Sequence, residues 1–410
     1  MKHLLISLFI VLLAACKQKP MTDVVVTVTN DCAFDRTEFV EIPIDSIAQW
    51  IKLIDEERYI ILDTDGVQVP QQITWNDNLL FQANVRANSE AVYTIAIGEP
   101  IEAETLVYGR HYPERVDDIA WENDCMAYRI FGHASQQKGE HNLGYDVWTK
   151  CTPELVVEQR YATELNPDTQ AEIARLRKAR KYKEAEEVYN SVSYHVDHGN
   201  GLDCYKVGPT LGCGMVALMQ GDNITYPPCW KEYEILENGP LRFTIRLTHA
   251  PFVVDKDSVV ETRTISLTKG SQLNKTIVSY TGLSRTMPIA TGLVIHPEHP
   301  TAYALEEDKG YIAYADLTDN VRNGNGVIYV GAVMPNKIKE AKAVMFSDKE
   351  AKERGALGHA LAISNYKPGK EYTYYWGAGW SKYGFESMEA WTEYLEHYAQ
   401  CVRNPLKISY

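Results

Sequence analysis

Short runs of alternating apolar and polar residues, separated by turns, make up most of this chain. Clear examples lie at residues 58–75, 90–98, 240–249 and 259–282, where β-branched and aromatic residues alternate with polar ones. Asp-Gly, Lys-Gly and Asn-Gly pairs interrupt the runs where a chain would reverse. Such alternation is typical of antiparallel sheets with one face in solvent. The pattern therefore predicts a mainly β fold.

Two segments have helical patterns instead. Residues 168–189 are rich in Ala, Glu, Lys and Arg, and Thr169 stands three residues before Glu172, the spacing of a capping box. A solvent-exposed helix is predicted there. Residues 387–400 place four large apolar side chains on one helical face: Trp391, Tyr394, Leu395 and Tyr398. This stripe predicts a helix that packs on the sheet as part of the core.

The N-terminus has the pattern of a bacterial lipoprotein signal. An early lysine and an apolar run from Leu4 to Leu13 precede Leu-Ala-Ala-Cys, which would make an acylated Cys16 the first mature residue. That run is well below the roughly 20 residues of a membrane-spanning helix. We predict a signal peptide at 1–15 and a lipidated tether at 16–22. The protein is then an exported lipoprotein of a Gram-negative bacterium, periplasmic or anchored in the outer membrane, and it meets the membrane only through the lipid at Cys16.

The rest of the chain, 23–410, is predicted to be one large antiparallel β-sandwich with a few peripheral helices, acting as the catalytic domain. A separate small N-terminal β-subdomain at 23–100 is the alternative to a single domain. Seven cysteines follow Cys16 at irregular spacing without a CxxC pair, which argues against a zinc ribbon or a redox motif. One or two disulfides are compatible with export, but the spacing does not indicate their pairing.

Charge and motifs narrow the classes of function. The net charge of −14 counts against nucleic acid as a partner, because phosphate backbones are bound by basic surfaces. A local group of Arg and Lys can still hold an acidic sugar. The sequence contains no GxSxG motif, no P-loop and no GxGxxG motif before a helix, which argues against serine hydrolases and nucleotide-binding enzymes.

Aromatic residues beside acceptors are the first candidates for a sugar site. In the charged segment 108–132, Trp121 precedes Glu122, and Asp124 follows closely. An indole face can stack on a sugar ring while carboxylates accept its hydroxyl groups. For most charges of this segment, an ion-pair network at a sheet edge is the alternative.

Two further segments carry the same combination. Residues 141–150 contain Tyr145 and Trp148, and a glycine-rich segment contains Trp376 and Trp380. Tryptophans in a glycine-rich loop are candidates for exposed sugar-binding platforms. Packing of these rings in the core is the alternative.

The segment 194–208, YHVDHGNGLDCYKVG, gathers the most proton-handling chemistry. His195 and Asp197 are candidate ligands for a divalent metal such as calcium, manganese or zinc, although no cofactor is certain. Asp203, Tyr205 and Lys206 follow at once. A base beside a cation is what proton abstraction next to a carboxylate requires. By contrast, His296 and His299 each stand beside a proline, which predicts a solvated loop.

Five ordered motifs of the chain resemble one family of exported bacterial proteins, long classified only as a domain of unknown function, whose members belong to polysaccharide-utilisation systems. The motifs cover residues 111–132, 144–150, 194–214, 237–252 and 374–385. The resemblance implies a galactose-mutarotase-like or lyase-like β-sandwich and an acidic, uronate-containing oligosaccharide as ligand. One branch is similar to an ulvan oligosaccharide dehydratase, which removes water to leave a 4,5-unsaturated uronate.

Such an elimination needs a base for the C5 proton, a cation for the carboxylate and an acid for the leaving oxygen. The candidates are His195 or Tyr205 as the base, Lys206 or Arg110 as the cation, and His111 or His198 as the acid.

Two other classes stay open. A glycoside hydrolase would pair Glu122 with Asp203 or Asp124. A non-catalytic glycan-binding lipoprotein would use the tryptophans.

Overall fold

The computed structural model describes residues 23–54, 56–139, 141–317 and 321–410. The predicted signal peptide and tether, with Cys16, lie outside the described residues. None of the helices in the described part of the chain is both long and apolar enough to cross a bilayer.

The N-terminal strands form two small antiparallel sheets. They are β1 (Asp23–Asn30), β2 (Arg36–Pro43), β3 (Tyr59–Leu62), β4 (Gln68–Val69), β5 (Gln71–Ile73), β6 (Asn78–Val85) and β7 (Ser89–Ile97), with helix α1 (Ile44–Ala48) after β2. One sheet contains β1, β7, β3 and β4, and the other has the order β2-β6-β5. Their inward-facing residues, including Val26, Ile61, Phe81 and Ile95, form a hydrophobic core of their own.

A four-stranded sheet and a group of helices follow. The elements are β8 (Tyr108–Tyr112), β9 (Asp118–Glu122), β10 (Ala127–Ile130), α2 (His133–Gln137), β11 (Asp146–Trp148), α3 (Val157–Glu164), α4 (Pro167–Lys178) and α5 (Tyr182–Val192). The sheet order is β11-β10-β9-β8. Every residue of β9, β10 and β11 is buried, so charged side chains on these strands need partners inside the protein.

Two large sheets form the centre of the molecule. The remaining elements of the chain are β12 (Cys213–Gln220), β13 (Asn223–Thr225), β14 (Trp230–Asn238), β15 (Arg242–His249), β16 (Phe252–Val254), β17 (Asp257–Thr268), β18 (Leu273–Thr281), β19 (Met287–Ile295), β20 (Tyr303–Glu306), β21 (Tyr311–Asp316), β22 (Ile328–Val333), β23 (Glu340–Met345), α6 (Asp348–Arg354), β24 (Gly358–Tyr366), β25 (Tyr372–Trp380), α7 (Met388–Arg403) and β26 (Lys407–Ser409).

The nine-stranded sheet has the order β14-β15-β17-β18-β25-β22-β21-β20, with β16 beside β17, and the five-stranded sheet has the order β13-β12-β19-β24-β23. Strands β12 and β19 pack against β21, β22 and β25 across the core. The prediction of a mainly β fold, an antiparallel sandwich with a few helices, is confirmed. The last strand, β26, pairs with β1 and so joins the C-terminus to the N-terminal sheet.

Both segments predicted to be helical form helices, but the number of helices and the capping residue differ from the prediction. The segment 168–189 forms two helices, α4 and α5, separated at Arg180, whose φ is 59°. The predicted capping box at Thr169 is wrong. Asn166 caps α4 instead, because its Oδ1 accepts from the backbone N–H groups of Asp168 and Thr169 at 3.1 Å each. Helix α7 packs on β21 and β22 as expected.

Candidate functional site

A polar cleft of about 420 Å³ lies where the four-stranded sheet, the loop 193–212, the end of β19 and the end of α6 meet. It is lined by these charged or titratable side chains: Arg115, Arg129, His195, Asp203, Tyr205, Lys206, His296 and Arg354. Four of these side chains are cationic and one is a carboxylate. The lining therefore favours an anionic ligand although the whole chain is acidic.

The segment 194–208 reaches the cleft as an irregular loop, not as a strand. Asp197 Oδ1 accepts from the backbone N–H groups of Gly199 at 2.8 Å and Gly201 at 3.1 Å, which folds the chain into a turn. Gly201 has a φ of 93°, and a Cβ there would lie 2.2 Å from the carbonyl oxygen of Thr149. The turn therefore needs glycine, and beyond it Asp203, Tyr205 and Lys206 line the cleft.

Arg129 on β10 is the centre of a buried charge network behind the cleft. Its Nη2 lies 2.5 Å from Asp146 Oδ2 and 2.9 Å from Asp203 Oδ2, and its Nη1 lies 3.7 Å from Asp118 Oδ2. Arg115 Nη1 lies 3.8 Å from the same oxygen of Asp118. Three buried carboxylates thus share two arginines, so the network has excess negative charge when all three are ionised.

That excess affects the titration of Asp146. Burial raises the pKa of Asp146 to about 7; the Arg129 guanidinium opposes the rise, and the Asp203 carboxylate adds to it. Trp148 Nε1 donates to Asp146 Oδ2 at 3.0 Å, so the predicted sugar platform Trp148 serves this network instead.

Replacing Asp146 with Asn is expected to change how stability depends on pH. The folded-state pKa of Asp146, about 7, exceeds its unfolded value near 3.8, so the wild type loses stability from this group as pH rises between these values. The stability of D146N relative to wild type should therefore increase from pH 4 to pH 7 and then level off, as measured by urea unfolding.

The matched control is the partly exposed Asp257, whose pKa is lowered by hydrogen bonds from Ser284. D257N should show no such increase relative to wild type. A difference between D146N and wild type that is constant from pH 4 to pH 8 would contradict the raised pKa of Asp146.

His296 and Asp316 form a buried pair at the cleft. His296 directly follows β19, and its Nδ1 is hydrogen-bonded to Oδ2 of Asp316, the last residue of β21. The His296 backbone N–H donates to the Tyr314 hydroxyl at 3.0 Å. Only 5 % of the His296 side chain is exposed, so the prediction of a solvated loop is wrong at this residue. With Nδ1 engaged, Nε2 is the nitrogen that can act on a ligand.

Tyr205 lies edge-on to His296, with 6.1 Å between ring centroids. Its hydroxyl is buried and has no hydrogen-bond partner among the described residues. Burial raises the pKa of Tyr205 well above its usual range, so the hydroxyl is protonated at neutral pH. Tyr205 is in the lining of the cleft, and a buried donor without a partner calls for an explanation such as a role in the reaction.

Three predicted catalytic residues lie elsewhere. Arg110 makes surface hydrogen bonds to Glu158 at 2.8 Å and is part of the ion-pair network that the sequence left open as an alternative. His111 Nδ1 lies 3.2 Å from the Tyr233 hydroxyl. His198 is exposed, and its Nε2 contacts a backbone oxygen at 3.0 Å. The described lining of the cleft includes none of the three, which removes the structural support for their assigned roles.

The aromatic platforms are also corrected. Five predicted sugar-binding rings are at most 1 % exposed: Trp121, Tyr145, Trp148, Trp376 and Trp380. Trp376 and Trp380 belong to β25, not to a loop. The indole nitrogens of Trp121 and Trp376 donate to Asn274 and Thr276, both at 2.8 Å. Trp121, Tyr145, Trp376 and Trp380 belong to the main hydrophobic core, and Trp148 belongs to a smaller core that includes residues of α3.

Glu122 and Asp124 have structural partners. Glu122 is buried, accepts from Lys150 Nζ at 2.7 Å and accepts from the backbone N–H of Val157 at 2.7 Å, at the start of α3. Asp124 accepts from the backbone N–H of Gly270 at 2.6 Å. Neither residue is in the described lining of the cleft, so the carboxylate pair suggested for a hydrolase is not assembled with Asp203.

The candidate metal ligands are not arranged as a metal site. His195 Nδ1 lies 2.9 Å from the backbone oxygen of Asp203, and Asp197 holds the glycine turn. Within the described ranges there is no group of three or more His, Cys, Asp or Glu residues that could hold a metal ion.

Sequence reasoning missed Arg115, Arg129, Arg354, His296 and Asp316. Two of them carried a signal. His296 and Asp316 each stand at the end of an apolar run, the runs of β19 and β21, where a polar side chain emerges from a buried strand. Nothing in the sequence around the three arginines distinguishes them from arginines on the protein surface.

A family model described as a domain of unknown function (DUF4861) matches residues 28–408. The chain belongs to this family. One relative in sequence is an uncharacterized protein, P7, of Formosa agariphila, which is 25% identical over 435 residues and aligned over 100% of both chains.

Two solved structures from Enterococcus faecalis are similar to this DUF4861 chain. They are an alpha-mannosidase, with a TM-score of 0.48 and 9% identity, and a glycosyl hydrolase family 38 protein, with a TM-score of 0.49 and 10% identity. Each alignment covers 95% of this chain but 46% and 47% of the other chain, so the protein spans about half the length of these structures.

Proposed function

We propose that this protein is a carbon–oxygen lyase that acts by elimination on uronate-containing oligosaccharides, as an oligosaccharide dehydratase or a polysaccharide lyase. The observation that carries the proposal is the composition of one cleft, whose lining includes four cationic side chains, His296 with its partner Asp316 behind it, and Tyr205 with its unpartnered hydroxyl. The motifs that resemble the ulvan oligosaccharide dehydratase branch support it. The lipobox pattern further supports export as a lipoprotein during polysaccharide breakdown.

The cationic side chains would bind the uronate carboxylate. Lys206, Arg354 and Arg115 line the cleft together with Arg129, and they are the candidates for this role. Arg354 is held in place because it donates to the backbone oxygen of Pro209 and stacks on Phe346 at 5.0 Å. Neutralising the carboxylate makes the C5 proton more acidic, since charge that develops beside it is stabilised.

His296 is the proposed base. Asp316 orients the ring and stabilises its protonated form, as a carboxylate does for a catalytic histidine. Nε2 takes the C5 proton, the C5–H electrons form the C4–C5 double bond, and the bond from C4 to its oxygen breaks.

Tyr205 is the proposed acid, because a tyrosine that burial keeps protonated can donate but is a poor base. Its proton goes to the leaving oxygen, which departs as water from a free O4 or as a sugar hydroxyl from a glycosidic O4. His195 and Asp203, at the same cleft, are then candidates for binding substrate hydroxyl groups.

Replacing Tyr205 with Phe tests this assignment. The variant is expected to form unsaturated product about 10²–10⁴-fold more slowly, the usual contribution of a general acid. Its melting temperature should not fall, because the lost hydroxyl had no partner among the described residues. Product is measured by the absorbance of the unsaturated sugar and by mass spectrometry, where dehydration removes about 18 mass units, one water.

The matched control is Tyr145→Phe, another buried tyrosine, whose hydroxyl accepts from Arg263 Nη1 at 3.0 Å. This variant should lose stability but should not lose the proposed acid, because Tyr205 is unchanged. Full activity of Y205F would contradict the role of Tyr205. Release of reducing sugar without new absorbance would favour a hydrolase, and binding without any product would favour a glycan-binding protein.

A further inference from the structure

A second and larger cavity, of about 680 Å³, lies between the N-terminal β2–β6 sheet and the nine-stranded sheet, with α7 along one side. Its described lining shares no residue with the lining of the cleft. A ligand there would touch both the N-terminal sheets and the central sandwich.

One wall of this cavity is aromatic. Tyr375 on β25 and Tyr398 on α7 have ring centroids 5.3 Å apart at 63°, and Tyr394 lies 6.0 Å from Tyr398. All three rings are half-buried and line the cavity, whereas Trp391 and Leu395 of the same helix are buried against the sheet. Tyr394 and Tyr398, which the sequence predicted to be in the core, therefore form part of the wall of this cavity. Partly exposed tyrosines offer an apolar face and a polar hydroxyl, which suits a sugar ring.

The opposite wall carries paired and unpaired charge. Arg36 binds Glu38 through two hydrogen bonds, of 2.5 and 2.8 Å, and Arg242 Nη1 binds Glu41 at 2.6 Å. Asn78 Nδ2 donates to the other oxygen of Glu41 at 2.9 Å, so these carboxylates are balanced within the wall. Gln82 and Ser266 add neutral polar groups.

Two lysines supply an excess of positive charge. Lys269 and Lys275, on the β17–β18 hairpin, line the cavity, and neither forms an ion pair within 4.0 Å with an acid of the described chain. The lining as a whole therefore contains more cations than carboxylates. This balance favours a ligand with its own negative charge.

We propose that this cavity is a second carbohydrate-binding site, which holds an acidic oligosaccharide with a sugar ring on the tyrosine wall and its anionic group at Lys269 and Lys275. It is separate from the cleft and does not depend on elimination there. A polymer that occupies both sites would be retained more strongly than either site alone retains it, because the second contact is intramolecular.

Titration calorimetry tests the second site. The purified His296→Ala protein, in which turnover is expected to be slow, is titrated with tetragalacturonate, a carboxylated probe, with a sulfated carrageenan tetrasaccharide, and with neutral cellotetraose. We expect two binding events for at least one acidic probe. Adding Lys269→Ala and Lys275→Ala should weaken one event by about tenfold or more, the loss of charge-assisted contacts, and leave the other unchanged.

The matched control adds Lys256→Ala and Lys370→Ala, two exposed lysines outside the cavity, and should change neither event. A single event that the Lys269 and Lys275 variants do not alter would overturn the second site. Equal affinity for neutral cellotetraose would overturn the role of charge. If the wild type formed no unsaturated product, only the proposed function would fail, since these readouts measure binding alone.

Discussion

Replacing His296 with alanine is expected to lower the rate of unsaturated-product formation by about 10²–10⁴-fold, the usual contribution of a general base. The imidazole is the group that the cleft presents with an orienting carboxylate, Asp316, and it stands beside the protonated Tyr205. Substrate affinity should change much less, because the cationic residues that would bind the uronate carboxylate remain. Initial rates at several substrate concentrations, by product absorbance, separate the two effects.

The matched control is His299→Ala, three residues further along the same loop. His299 Nδ1 contacts the backbone oxygen of Ala315 at 2.9 Å, and the described lining of the cleft does not include His299. This variant should keep its activity if it remains folded. Equal loss of activity in both variants at equal loss of melting temperature would show that the loop matters only for folding. Full activity of H296A would remove His296 as the base.

Replacing Arg129 with methionine is expected to lower the free energy of unfolding by about 3–5 kcal/mol, the usual result of leaving buried charges without their partner. Arg129 is 5 % exposed and contacts three buried carboxylates, of Asp118, Asp146 and Asp203. Methionine keeps much of the side-chain volume, so the loss in free energy of unfolding reflects the missing charge more than missing packing. Urea unfolding at pH 8, above the pKa of about 7 of Asp146, measures the loss.

Arg110→Met is the matched control. Arg110 also contacts two carboxylates, of Glu114 and Glu158, but at the surface. Its loss should change stability by about 0–1 kcal/mol, since solvent screens exposed pairs. Similar losses in the two variants would contradict the distinction between buried and exposed networks.

The pH dependence of the stability of the R129M variant distinguishes lost charge pairing from lost packing. Protonation of Asp146 removes one uncompensated negative charge in the variant, so its deficit relative to wild type should shrink as the pH falls from 8 to about 7 and then level off. Burial already raises the pKa of Asp146 to about 7 in the wild type, and without the guanidinium the rise should be larger. A deficit independent of pH would indicate lost packing instead.

The sequence by itself determined the fold class and much of the secondary structure. Alternation in 240–249 and 259–282 correctly predicted β15, β17 and β18, and the spacing of Trp391 and Leu395 predicted α7. These features are local, because the side-chain periods of strand and helix are set by neighbours in the chain. For the same reason the loop 194–208 was recognised as a place of unusual chemistry.

Only the tertiary structure decided which residues share a site. Asp203 meets Arg129 across 74 positions of the chain, and His296 meets Asp316 across 20. Burial, which no local pattern measures, decided for Trp376 and Trp380 between an exposed platform and the core, in favour of the core. Burial also changed Tyr205 from a candidate base into a proton donor. Proton chemistry depends on desolvation and on charges nearby in space, and both are properties of the packed molecule.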